Sequence, residues 1–255
     1  MIVQKPRFCY YCIVQYNNKT QTPTAESYAE LQQAYSHFNQ CLFENKLPEC
    51  LITLQRKKGV YGYFCKERFK NNKGNFVDEI ALNPSAFLVG GFIEIMQTLV
   101  HEMCHLWQFH FGVPGRGNYH NKEWATMMES IGLMPSSTGK TGGKKTGDRM
   151  SDYPISEGEF LYSVEKLLNA DFKISWKDRY PDTKILAHSF TDPSKPTTQE
   201  IKNHEENGVE INLVTTANNS NRKKFSCPSC ESNAWGKPSL NLICGDCSVA
   251  FVAIA

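Results

Sequence analysis

The sequence predicts an α+β fold with a small metal-built module at its C-terminal end, on three observations. Two stretches, at about 26–43 and 92–111, repeat apolar residues at spacings of three and four, which is the period of a packed helix. Between them lie three short runs rich in apolar and β-branched residues, separated by turn residues, as in a small antiparallel sheet. The last thirty residues carry Cys227-Pro228-Ser229-Cys230 and, after thirteen intervening residues, Cys244-Gly245-Asp246-Cys247.

The whole chain sets bounds. Its 255 residues can hold one substantial core plus something small. No stretch reaches the roughly 20 apolar residues needed to span a bilayer. The start, Met1 to Arg7, lacks the apolar run of a secretory signal, so the expected location is the cytoplasm. Ten cysteines then read as metal ligands or free thiols rather than disulfides. A net charge of +2 neither demands nor forbids a nucleic-acid partner.

In chain order, residues 1–25 form an N-terminal arm whose Cys9 and Cys12 make a lone CxxC with no second pair nearby, so no chemistry is assigned to it. Tyr28, Leu31, Tyr35, Phe38 and Leu42 mark the first helix, which Asn45 to Pro48 ends. Cys50–Gln55, Val60–Phe64 and Phe76–Leu82 read as strands of an antiparallel meander, stopped by Asn83-Pro84. Gly90-Gly91 precedes the second helix, Phe92–Phe111, which is apolar on most of its surface and therefore belongs in the core. A glycine-rich loop leads through His120 into a short helix, Lys122–Ile131. Residues 136–147 contain no apolar side chain and read as a mobile surface loop extending to about 149. Phe160–Leu168 fits either helix or strand, and 191–222 reads as a polar linker. The expected divisions are thus the arm at 1–25, a main domain at 26–190, the linker at 191–222 and the terminal module at 223–255.

The second helix holds His101-Glu102-Met103-Cys104-His105. Each helical residue advances about 100°, so positions i and i+4 stand nearly one above the other, and two imidazoles there can face one ion. Glu102 is close enough to take a proton from a water at that ion. This HExxH pattern arises by chance in roughly one such chain per hundred, so it needs context. A catalytic zinc takes three protein ligands and keeps a position open. His110 faces about 140° away from His105 on the helix, while His37, His188 and His204 carry nothing that marks them as ligands. His120, at the start of a helix able to fold back across the first, is the preferred third ligand, with Glu123 and Glu129 as carboxylate rivals. Cys104 points away from the metal and reads as a buried small hydrophobe.

Two CxxC knuckles at this spacing suit a four-cysteine zinc ribbon built by Cys227, Cys230, Cys244 and Cys247. So short a segment buries too little apolar surface to fold unaided, and the metal supplies the difference. Lys223, Lys224 and Lys237 could meet phosphates, and Trp235 could stack on an exposed base.

The chain resembles the SprT-like zinc metalloproteases, relatives of the DNA–protein crosslink protease Spartan. The likeness rests on His101, Glu102, His105 and His120, on Phe38-Asn39, Leu42-Phe43, Leu47-Pro48, Gly62-Tyr63-Phe64 and Glu79 to Pro84, and on the terminal ribbon. Thr146-Gly147 through Met150 to Tyr153 is similar to a segment that follows the third ligand in bacterial relatives. The resemblance implies a zincin-like metalloprotease domain with one catalytic and one structural zinc. It also implies a protein substrate held on or crosslinked to DNA, single-stranded DNA as a partner, no membrane, and nucleoid association if bacterial. Tyr119, Arg116 and Tyr153 are candidate oxyanion donors under it, and Trp107 a candidate cleft wall. A non-catalytic zinc protein whose ribbon alone binds DNA is the alternative.

Overall fold

The computed structural model describes residues 22–181, 185–186, 197, 199, 202 and 222–254. The N-terminal arm with Cys9 and Cys12, and nearly all of the expected linker, lie outside the described residues. The chain divides into two compact units, residues 1–211 and 212–255.

In the first unit, helix α1 spans Pro23–Leu42 and starts at a proline, whose fixed φ and missing N–H suit the first helical turn. It buries Leu31, Ala34, Tyr35 and Phe38. Its end is locked by Asn39, whose amide both donates to the Leu47 carbonyl and accepts the Leu47 N–H, each at 3.1 Å.

Strands β1 (Leu51–Leu54), β2 (Gly62–Lys70) and β3 (Phe76–Leu82) form one sheet. The sheet is not the expected antiparallel meander. Its order is β1-β3-β2, and β1 runs parallel to β3. Burial explains the order: Asp78 through Leu82 are all buried, so β3 takes the centre, while the charged run of β2 suits an edge. The segment between β1 and β2 therefore crosses over the end of β3. Asn83 secures that crossing, its Nδ2 donating to the Lys57 and Val60 carbonyls at 2.9 and 2.7 Å.

After a single 3₁₀ turn (Pro84–Ala86), helix α2 spans Gly91–Phe111 and runs through the core. Ile95, Met96, Leu99, Val100, Met103 and Leu106 are all at most 3% exposed. Helix α3 (Lys122–Ser130) follows, N-capped by Asn121, whose side chain accepts the Trp124 N–H. Strands β4 (Leu133–Ser136) and β5 (Ser151–Pro154) pair antiparallel. Helix α4 (Glu159–Asn169) packs on α1, with Phe160 stacked on Phe38 at 6.0 Å. Phe160–Leu168 is therefore helix, not strand.

Residues 136–149 are largely exposed, as their composition predicts, and are also bonded internally. Ser137 N–H donates to the Lys144 carbonyl at 2.8 Å and Lys144 N–H to Ser137 Oγ at 3.0 Å. Ser136 is 1% exposed. At the far end, Gly147 bridges to His120 in both directions, N–H to carbonyl, at 2.8 and 3.2 Å. The polar composition reflects hydrogen bonding within the loop, a use of Ser and Thr that hydropathy does not register.

The second unit is a three-stranded antiparallel sheet, β6 (Lys223–Ser226), β7 (Asn233–Gly236) and β8 (Val252–Ile254), in the order β7-β6-β8. Its buried apolar residues are Phe225 and the sulfurs' own Cys227 and Cys244.

Candidate metal centres

Helix α2 lifts His101 and His105 onto one face, and the loop after it returns His120 to them. That return is held by a small network. Gln108 Nε2 donates to Asn121 Oδ1 and Glu123 Oε2 at 2.7 and 2.8 Å, and Glu123 Oε2 also accepts the Val113 N–H at 2.7 Å. Glu123 thus closes the loop, and Glu129 lies 3.1 Å from Lys145 Nζ. Neither carboxylate joins the histidines.

One ligand atom from each of His101, His105 and His120 lies within 4.8 Å of the others. The fully buried Trp124 forms the floor, its ring centroid 4.4–5.4 Å from all three imidazoles. In His101 and His120 the other ring nitrogen is occupied. His101 Nδ1 is 2.8 Å from Asp152 Oδ2, and His120 Nδ1 is 3.1 Å from the Gly147 carbonyl. Each contact makes Nδ1 the protonated nitrogen and leaves Nε2 as the free lone pair, the arrangement metal-bound histidines need.

The electrostatics fit a cation. Burial holds the His105 imidazole well below its usual range and His120 down to about 4, with His101 adding to both effects. Both are therefore neutral at pH 7 and able to bind metal. Burial also acts to lower His101, but the Asp152 hydrogen bond and the charge of Glu102 outweigh it, and its pKa is raised. Asp152 and Glu102 are both buried, and Asp152 Oδ1 has no hydrogen-bond partner among the described residues. Two buried carboxyl groups beside the neutral His105 and His120 favour a bound cation.

Glu102 is 6% exposed, and burial lifts its carboxyl to about 7, with Asp152 adding to the rise. His101 and a hydrogen bond from the Phe64 backbone act the other way. Strand β2 comes this close because residue 62 is glycine. A Cβ there would stand 2.8 Å from Thr98 Cγ2 and 3.3 Å from Glu102 Cγ.

His110 and His37 have structural work, while His188 and His204 lie outside the described residues. His110 Nε2 pairs with Asp78 at 2.7 Å, and His37 Nε2 contacts Ser163 Oγ and its carbonyl at 3.0 and 2.8 Å. Cys104 is fully buried and its thiol is pushed well up by desolvation, so it is inert. Trp107 lies against Lys122, Thr126 and Met127 in a groove between α2 and α3. Tyr119 and Arg116 are exposed in the loop before His120, and Tyr153 follows Asp152; the geometry singles out none of them as an oxyanion donor.

Asp152 is the residue that sequence reasoning missed. It stands 51 positions from His101, in no spacing relation to it. The only signal was the similarity of residues 146–153 to a segment of relatives, which assigns it no role. Replacing Asp152 with Asn removes the charge that orients His101 and should weaken zinc binding at the histidine site by about 10–100-fold. Competition with a chromophoric chelator measures this, and unchanged affinity would show that His101 needs no anchor.

The ribbon cysteines converge in the same way. Sγ atoms of Cys227, Cys230, Cys244 and Cys247 lie within 4.8 Å of one another. The two knuckles repeat one backbone design. Glu231 N–H bonds to the Cys227 carbonyl at 2.9 Å, and Ser248 N–H to the Cys244 carbonyl at 2.8 Å. Both Glu231 and Ser248 adopt positive φ, at 61° and 54°. A hydrogen bond with Ser232 pulls the Cys230 thiol down to about 6, towards the thiolate that a metal requires. Trp235 is 64% exposed and stands opposite Lys224 on the neighbouring strand. Lys223 alternates onto the other face, with Phe225, so the structure groups Trp235 with Lys224 only.

Among the described residues, no helix is long and apolar enough to cross a membrane. No solved structure matches the chain. An uncharacterized protein in the mucB 3' region of Salmonella typhimurium is 51% identical over 73 residues, which cover 27% of this chain and 99% of that protein. A protein named SprT-like from Lysinibacillus sphaericus (strain C3-41) is 27% identical over 88 residues. That alignment spans 32% of this chain and 56% of the relative's length. The SprT-like family profile matches residues 31–142, which include His101, Glu102, His105 and His120 but neither Asp152 nor the ribbon. On these matches, and with the histidine cluster inside the matched segment, the chain belongs to the SprT-like family.

Proposed function

We propose that the protein is a zinc-dependent endopeptidase with a zincin-like catalytic unit, acting on proteins held on or crosslinked to DNA. The observation that carries this reading is the convergence of three imidazoles, those of His105 and His120 held neutral by burial, beside a buried glutamate whose carboxyl is lifted to about 7. His101, His105 and His120 would hold the catalytic zinc, and the four ribbon cysteines a structural one. When bound, zinc polarises the scissile carbonyl and acidifies a water. Glu102 accepts the proton of the attacking water on its carboxylate and delivers it to the leaving amine. Asp152 and the Gly147 carbonyl hold His101 and His120 in the tautomer that leaves Nε2 free. Trp124 closes the floor against solvent.

DNA association is supported by the ribbon face that carries Trp235 and Lys224, an aromatic surface beside a cation. The same face supports a second reading, a zinc protein that binds nucleic acid without cleaving. The two separate in one experiment. The wild-type chain, loaded with zinc, is given a protein bound on single-stranded DNA and the same protein free. Chelator-sensitive cleavage of the DNA-bound form is expected. If every DNA-bound protein stays intact, the second reading stands. Removing residues 220–255 should reduce both DNA affinity and its salt dependence; unaltered affinity would make the ribbon purely structural.

A further inference from the structure

The loop that joins the second candidate ligand to the third is tied at both ends by one side chain. Gln108 stands on α2 three residues after His105, about 4.5 Å further along the helix axis, and is 3% exposed. Its Nε2 donates to Asn121 Oδ1 at 2.7 Å and to Glu123 Oε2 at 2.8 Å, with the Val113 carbonyl at 3.4 Å. Asn121 follows His120 directly and caps α3, its Oδ1 also accepting the Trp124 N–H at 3.0 Å. Val113 opens the loop. Its carbonyl accepts from Asn121 Nδ2 at 2.8 Å, and its N–H donates to Glu123 Oε2 at 2.7 Å. One buried amide thus joins the ligand helix, the start of the loop and the cap beside the third ligand.

The neighbourhood leaves this work to Gln108. Among the described residues, its bond to Glu123 is the only side-chain hydrogen bond between α2 and α3, and no ion pair joins the two helices. Apolar packing of Trp124 and Met128 presses α3 inward, but such contacts have no preferred direction, whereas hydrogen bonds fix one helix against the other. Gly112 lets the chain leave α2 directly against the Glu123 carboxylate, because a Cβ there would stand 2.5 Å from Oε2. The anchors already described act on single rings: Asp152 on His101 and the Gly147 carbonyl on His120. Zinc takes its nitrogens at roughly 2.0–2.1 Å, so the spacing between the elements that carry them matters to within a few tenths of an ångström.

We propose that Gln108 is a positioning residue for the histidine site: through Asn121 and Glu123 it holds His120 at binding distance from His101 and His105. The proposal rests on the reading of that site as a zinc centre, and assigns its closure to a residue that is itself no ligand. It also accounts for Glu123. That carboxylate, a rival ligand by its place in the sequence, is engaged by two N–H donors of the latch and stays off the metal.

The test uses the full-length chain, with zinc in both sites or with cobalt(II) in the histidine site while zinc fills the ribbon. Gln108→Met keeps the length of the side chain and removes its donors. Competition with a chromophoric chelator should show affinity at the histidine site lowered about tenfold, with the ribbon's zinc retained. The visible bands of cobalt, which report coordination geometry, should shift. On a loosely folded protein, kcat should fall with KM little changed. Asn39→Ala serves as the control, since it removes a buried amide of similar bonding at the end of α1, outside the site. If Gln108→Met does not fold, Asn121→Ser is read in the same way: serine still caps α3 but is too short to hold Gln108 and Val113 as well. Affinity and cobalt spectra equal to the parent's, or altered to the same degree in Asn39→Ala, would overturn the proposal. Lowered affinity in Gln108→Met with no cleavage by the parent would uphold the latch and defeat the peptidase reading. Cleavage by the parent with unaltered affinity in the variant would do the reverse.

Discussion

Replacing Glu102 with Gln is expected to lower peptide-bond cleavage by about 10²–10⁴-fold while both zinc sites still fill. The amide matches the carboxylate in shape and can accept a hydrogen bond from the Phe64 backbone, but it cannot take a proton from water. His101 and His120 keep their positions, since Asp152 and Gly147 rather than Glu102 fix their rings. The wild-type pH profile should carry the same signature. Burial raises the Glu102 carboxyl to about 7. A base works only when ionised, so the rate should fall as pH drops through the Glu102 pKa. A bound cation favours the carboxylate, which moves this acid limb below about 7. Zinc content by mass spectrometry, with digestion of a loosely folded protein followed over pH, checks all of this. Activity retained within about tenfold in Glu102→Gln would remove Glu102 from the chemistry.

The second large effect is expected at the ribbon. Cys244→Ser should release one zinc and unfold residues 222–254 while the histidine site keeps its own. The unit has little else to hold it, because among the described residues its buried apolar side chains reduce to Phe225 and the buried cysteines. Zinc supplies roughly 10–16 kcal/mol of apparent binding free energy to small metal-folded modules, far more than one buried phenyl ring. The stoichiometry should fall from two zinc ions to one, and the amide resonances of β6–β8 should collapse towards random-coil positions. Cleavage of a free protein should persist, and cleavage on DNA should decline with the lost Trp235–Lys224 face. A ribbon that stays folded in chelator would show that the sheet holds itself together without metal.

The local features of this chain were legible because their causes are local. The apolar period at 92–111 predicts a helix, and the structure has one at Gly91–Phe111. The strand at Phe76–Leu82 has the expected bounds because Asn83-Pro84 ends it. Sheet order was not legible, since it turns on which strand is most buried. Every run of the three looks equally strand-like along the chain, and only the burial of Asp78 to Leu82 in the folded protein marks β3 as central. The polar loop 136–149 lies at the surface as its composition predicts, but its internal hydrogen bonds, which depend on how it folds back on itself, were not legible.

The candidate site divides along the same line. By itself the sequence determined the donor atoms: two histidines one helical turn apart, a glutamate beside the first, a histidine after a glycine-rich loop, and two matched cysteine pairs. Those follow from helical pitch and metal chemistry, which act over a few residues. Tertiary structure alone decided how the imidazoles are oriented and how dry they are. Asp152 reaches His101 across 51 positions because β5 pairs with β4 and lies against α2. Gly147 reaches His120 because an internally bonded loop folds back on it. Gly62 admits β2 to the wall of Glu102. Hydrogen bonds and desolvation depend on distance in space, and residue spacing along the chain carries no record of it.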